Sequence, residues 1–116
     1  MEISKAQLYE RLGVSEQKLR DFCVRSPITE LAFFGSVIRN DFRADSDIDV
    51  LVILKPNHGM GLIEYFKFEE QFKEMFNREV DLVDKEVIEK ERNWIRRREI
   101  LNNAQVIYES GRILSA

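Results

Sequence analysis

Residues 33–54, FFGSVIRNDFRADSDIDVLVIL, constrain this chain more than any other stretch. Two apolar runs, Leu31–Phe34 and Ile48–Leu54, flank a turn that opens with Gly35-Ser36. The second run is headed by Asp47 and Asp49, two carboxylates separated by one isoleucine. Side chains alternate faces along a strand, so both acids leave the same side of a sheet. If the two runs pair, Gly35 and Ser36 stand beside them. Aspartate is depleted in strands, and two such charges about 5 Å apart repel by roughly 3 kcal/mol at an effective dielectric of about 20. A divalent cation is the simplest offset. Oxygen donors suit Mg2+ or Mn2+, whereas a single cysteine and a single histidine argue against zinc. A small turn beside converged acids therefore suits a metal-bound polyphosphate.

The 116 residues are enough for one domain but not for two. We expect a single domain over 1–116, with N-terminal helices in 1–28 and a catalytic core in 29–109. The net charge of −3 lacks the basic footprint of a nucleic-acid binder, so no nucleic-acid partner is expected. A lone Cys23 among apolar neighbours reads as a buried small hydrophobe and fits a reducing compartment. The N-terminus has no apolar signal core, and no run reaches the roughly 20 residues of a membrane span. A cytoplasmic protein with no membrane contact is the expectation.

Along the chain, Ser4–Leu12 reads as a short helix capped by Ser4 and ended by Gly13. A second helix starts at Ser15, carries Leu19, Phe22 and Cys23 on one stripe, and closes at Pro27. Glu30–Gly35 is a strand, apolar enough to be covered on both faces. Ser36–Phe42 reads as a short helical turn and Asp47–Leu54 as a central strand. A helix from about Leu62 to Asn77, a strand Glu79–Val83, a helix Glu86–Asn102 and a strand Gln105–Tyr108 complete the order. The fold class is α/β (α+β), a small mixed β-sheet with helices packed on it.

Asp81 supplies a third carboxylate if its strand lies beside Asp47–Leu54. Three convergent carboxylates can hold two metal ions. Asp84 competes for the role, but its spacing from Asp81 is odd. Gly35 permits close backbone approach, and the following N–H groups at a helix start favour an anion. Ser36 adds a hydroxyl donor. Arg39 would share the helical face of Ser36 and neutralise a terminal phosphate. Arg43 and Asp45 are loop residues that could close over a ligand, while Ser46 has no assigned role. His58 sits in a surface loop, and Arg96-Arg97-Arg98 fan around a solvated helix face.

These residues resemble a known pattern. Gly35-Ser36, ten intervening residues, then Asp47-Ile48-Asp49 is similar to the signature of the DNA polymerase β-like nucleotidyltransferase superfamily. With VDLV at 80–83 and IYE at 107–109, the chain resembles its minimal nucleotidyltransferase (MNT) branch from about Lys18 onward. The resemblance implies a nucleotidyltransferase fold, ATP as donor and two Mg2+ ions. It implies Asp47, Asp49 and Asp81 as catalytic metal ligands, with Asp81 helping to deprotonate the acceptor. Gly35 and Ser36 correspond to the nucleotide-binding pair. Asn40 replaces the glycine common after the arginine, a change that left-handed-tolerant asparagine should absorb. Members of this branch are often antitoxins of HEPN ribonucleases and move AMP onto a tyrosine of the toxin. A HEPN toxin partner is therefore expected, and a homodimer is open. A stoichiometric binding antitoxin with vestigial activity, or a transferase acting on a small molecule, are the alternatives.

Overall fold

Serine side chains start both N-terminal helices. In the computed structural model, which describes residues 1–114, Ser4 caps α1 (Lys5–Leu12) and Ser15 caps α2 (Glu16–Arg25). Ser4 accepts from the Gln7 N–H while the Gln7 side chain accepts from Ser4 N–H, a reciprocal capping box. Gly13 closes α1 at φ 70°, a left-handed conformation that costs glycine little.

The strands are β1 (Ile28–Phe34), β2 (Ile48–Leu54), β3 (Val80–Asp84), β4 (Gln105–Glu109) and the two-residue β5 (Arg112–Ile113). They form one sheet in the order β3-β2-β1-β4-β5, with β2 and β3 parallel and the other pairs antiparallel. The helices α3 (Leu62–Phe76), α4 (Lys85–Ile88) and α5 (Trp94–Asn103) complete the expected α+β domain with its mixed sheet.

Alternation along the central strands divides the core in two. Leu31, Phe33, Ile48, Val50 and Val52 face α1, α2 and α3, where Leu8, Leu12, Leu19 and Cys23 are buried. An aromatic row fills this side: Phe72 lies 5.0 Å from Phe22, 5.1 Å from Phe68 and 5.9 Å from Phe76 between ring centroids. Cys23 is buried as expected, and burial pushes its thiol up to about 12. Ala32, Phe34, Leu51 and Val83 face the other way, against Ile88 of α4 and Ile100 of α5. The central strands are thus covered on both faces, as their unbroken apolar runs require.

The structure differs from the sequence reading in several places; Asp47 and Glu79 lie just ahead of their strands, and the third strand runs on to Asp84. The first strand starts at Ile28 and stops at Phe34. The helical turn after it is only a 3-10 turn, Gly35–Ile38. The expected helix 86–102 is two helices, because Asp84 accepts from the Glu86 N–H to start α4 and Asn93 accepts from the Arg96 N–H to start α5. The strand β5 was not expected at all. Asn40 shows no positive φ, so glycine is not required there; its N–H donates to the Glu2 carboxylate at 3.0 Å.

Tyr9 is buried, and its hydroxyl has no hydrogen-bond partner among the described residues. An unmatched buried hydroxyl forfeits its solvation without return. Tyr9→Phe is therefore expected to leave stability unchanged or raise it by up to about 1 kcal/mol, read from urea unfolding midpoints. No helix among the described residues is long and apolar enough to cross a membrane.

Candidate active site

The carboxylates sit where three strands end together. Asp49 of β2 lies in register between Phe34 of β1 and Asp81 of β3. Register partners project to the same face of a sheet, so Asp49 and Asp81 emerge side by side. By alternation this is the face of Leu51 and Val83, the side covered by α4 and α5. Asp47 stands one residue ahead of β2, on the same parity, and is exposed. Asp84 falls on the opposite parity from Asp81, pairs with Val52, and uses its side chain to cap α4. The choice between the two acids thus favours Asp81 on geometry.

Gly35 begins the 3-10 turn at φ 72° and touches Asp49 closely. A Cβ built there would collide with the Asp49 carboxylate, whose Cγ would be 3.1 Å away. Glycine is needed here for its backbone angle and for space. Burial, and then the charges of Asp81 and Asp47, push the Asp49 carboxyl up to about 6, against an opposing pull from Arg39. Removal from water dominates and carboxylate repulsion adds to it.

Arg39 is not on a helical face shared with Ser36. The turn ends at Ile38, and Arg39 is extended, with its guanidinium 3.0 Å from each oxygen of the Asp41 carboxylate. It nonetheless lines the cleft that holds Gly35, Asp49 and Asp81, a space of about 270 Å³. Ser36 and Asp47 do not line that cleft. Ser46, unassigned from sequence, accepts a hydrogen bond from the Arg43 N–H through its hydroxyl at 2.9 Å.

The far wall is a helix that sequence reasoning treated as solvated. Arg96, Glu99, Ile100 and Asn103 of α5 complete the cleft. Their spacing, i, i+3, i+4 and i+7, is one helical face, and Ile100 anchors that face in the core. The run of three arginines hid this signal. Arg96 lines the cleft with its guanidinium 3.8 Å from the Glu91 carboxylate, Arg97 donates to the Glu91 carbonyl at 3.0 Å, and Arg98 lies beside exposed Trp94 and Ile95.

Among the described residues, no three His, Cys, Asp or Glu side chains are gathered tightly enough to enclose a metal ion. The donor set nevertheless fits a hard cation. It is all carboxylate oxygen, two of the acids are register partners, and burial with the neighbouring acids raises the Asp49 carboxyl despite the pull of Arg39.

A mixed-sheet α+β domain with paired acids beside a glycine turn defines the nucleotidyltransferase class of fold. Comparison with known proteins agrees, and the chain belongs to the nucleotidyltransferase domain family, whose description matches residues 16–107. Among solved structures, a chain described as a candidate minimal nucleotidyltransferase is 25% identical, with a TM-score of 0.62 over 89% of this chain and 98% of that one. A chain from a toxin–antitoxin structure with AMP-PNP is 16% identical, with a TM-score of 0.63 over 84% of this chain and 75% of that one. A third comes from a tri-AMPylated Shewanella oneidensis HEPN toxin in complex with its MNT antitoxin. It is 15% identical, with a TM-score of 0.51 over 83% of this chain and 74% of that one. These neighbours agree with the MNT branch expected from the sequence. No curated protein sequence matches the chain.

Proposed function

We propose that this protein transfers AMP from ATP to a tyrosine hydroxyl of a partner HEPN toxin, in a Mg2+-dependent reaction, and acts as the antitoxin. The observation that carries the reading is the register of Asp49 with Asp81, closed on one side by Gly35 and facing Arg39 and Arg96 across a cleft. Carboxylates poised beside cations and a bare glycine backbone match a metal-bound triphosphate better than an uncharged ligand. The toxin–antitoxin neighbours, one with AMP-PNP and one with an AMPylated toxin, support the choice of donor and acceptor.

In this reading Asp47, Asp49 and Asp81 would hold the metal ions, which would offset charge on the phosphates and make the attacking hydroxyl more acidic. Asp81 takes up the acceptor proton as the hydroxyl oxygen bonds to the α-phosphorus. The bond from that phosphorus to the bridging oxygen breaks, and pyrophosphate leaves. Gly35 lets the backbone approach the triphosphate, with Ser36 donating beside it. Arg39 must exchange Asp41 for phosphate, a cheap trade because that ion pair is exposed.

Incubation with α-labelled ATP, Mg2+ and the cognate HEPN protein is expected to label that protein, and Asp47→Asn with Asp49→Asn should abolish the label. Labelling by the double variant at the wild-type rate refutes the assignment. Arg96→Ala is expected to weaken binding of an ATP analogue about tenfold, consistent with loss of one charge-assisted hydrogen bond. Titration calorimetry checks it, and unchanged affinity removes Arg96 from the site.

A further inference from the structure

The segment between the Gly35-Ser36 turn and Asp47 carries no regular structure after Ile38, yet two distant arginines grip it. Arg11 of α1 donates from Nη1 to the Val37 carbonyl at 3.0 Å and the Arg39 carbonyl at 2.6 Å, with the Ser36 carbonyl at 3.5 Å. Arg78, between α3 and β3, donates from Nη1 to the carbonyls of Arg43, Ala44 and Ser46 at 3.1, 3.0 and 2.9 Å. Phe42 lies between them. Its ring centroid is 5.0 Å from the Arg11 guanidinium carbon and 4.4 Å from that of Arg78. Both contacts fall within the range of a cation over an aromatic face.

We propose that Arg11, Phe42 and Arg78 form a brace that positions the Gly35-Ser36 turn against Asp47 and Asp49, with Arg11 setting the turn and Arg78 setting the approach to the acids. The inference rests on the nucleotidyltransferase reading for its functional consequence. A planar peptide ties each carbonyl to the N–H that follows it, so fixing the carbonyls of Val37 and Arg43 fixes their partners' directions as well. The segment's own bonds close its halves separately: Arg39 N–H to the Ser36 carbonyl at 3.0 Å and its guanidinium to Asp41 in the first, Ser46 N–H to the Arg43 carbonyl at 3.1 Å and Arg43 N–H to the Ser46 hydroxyl in the second. Nothing within the segment joins that half to the turn. The shared ring of Phe42 does, because each guanidinium that holds one half also rests on it. Planar arginine suits this double duty, donating in its plane and stacking on its face. None of the three side chains lines the cleft, so they are positioning residues.

The two arms of the brace predict separable losses. Arg11→Met is expected to weaken binding of a non-hydrolysable ATP analogue about tenfold or more while Mn2+ affinity, read by electron paramagnetic resonance, stays within about twofold. Arg78→Met is expected to reverse that split, with Mn2+ affinity falling about tenfold. Both should speed hydrogen exchange across residues 36–46 of the free protein. Circular dichroism reports folding, and a general destabilisation would not sort metal from nucleotide. Should a methionine variant fail to fold, Phe42→Leu keeps every hydrogen bond, removes the ring, and should loosen both halves together. Folded variants that bind both probes as the wild type does, with wild-type exchange, overturn the brace. A wild-type protein that binds neither probe refutes the nucleotidyltransferase reading, and the exchange measurement then decides the brace alone.

Discussion

Asp49→Asn is expected to eliminate transfer and, in metal-free buffer at neutral pH, to make the protein more stable. The carboxyl of Asp49 is pushed up to about 6 by burial and by its neighbours Asp81 and Asp47. Between its ordinary value and that one, the folded protein holds a proton that the unfolded chain has lost. Stability therefore falls as pH rises through this window, and the full penalty is present above about pH 7. Because the side chain is only partly buried, solvent screening limits the penalty to about 1–2 kcal/mol. Asparagine removes the charge at nearly the same volume. The melting temperature of the variant should rise by about 4–8 °C at pH 7.5 and lose most of its advantage near pH 4. Millimolar Mg2+ or Mn2+ should raise the melting temperature of the wild type but not of the variant. A variant that melts below the wild type at pH 7.5, or responds to metal equally, contradicts the placement of Asp49.

Gly35→Ala carries the second large effect. Alanine at φ 72° pays a left-handed backbone penalty of about 1–2 kcal/mol. Its methyl also meets the Asp49 carboxylate, which would have to move. A displacement of about 1 Å at a reacting centre costs roughly a hundredfold in rate, so transfer should fall by at least about that factor. The two causes can be separated. In an Asp49→Ala background the collision is gone, and Gly35→Ala should cost only its backbone share. A double-mutant cycle on urea midpoints is expected to give a coupling of about 1 kcal/mol or more. Strict additivity would show that Gly35 and Asp49 do not touch.

The residues that head β2 and β3 were legible because strands obey a two-residue period and a charged residue in an apolar run is conspicuous. Asp81 could be grouped with Asp47 and Asp49 before any was placed, since it interrupts a short apolar run that could lie beside Asp47–Leu54. The far wall of the cleft was not legible. Arg96 counts as a cleft residue only once α5 starts at Asn93 and Ile100 fixes its rotation; read in a longer helix 86–102, its direction is undetermined. The break itself depends on two caps, Asp84 and Asn93, inside a charged run where neither stands out. Arg39 lines the cleft, but not through the helical face expected, because 3-10 turns end within three or four residues and that argument needed a longer one. Arg11 and Arg78 lie 28 and 35 residues from carbonyls they bind, and sequence periodicity carries no information at that range.

The strand that bears Asp81 is the last one in the sheet. A terminal strand offers unpaired backbone groups to any extended chain that drifts past, and a charged side chain is one means by which proteins discourage such pairing. Asp81 and Asp84 interrupt the apolar Val80, Leu82 and Val83 of this strand, on opposite faces. An exposed negative charge at Asp81 on this outermost strand is a deterrent of that kind, whatever else the side chain does.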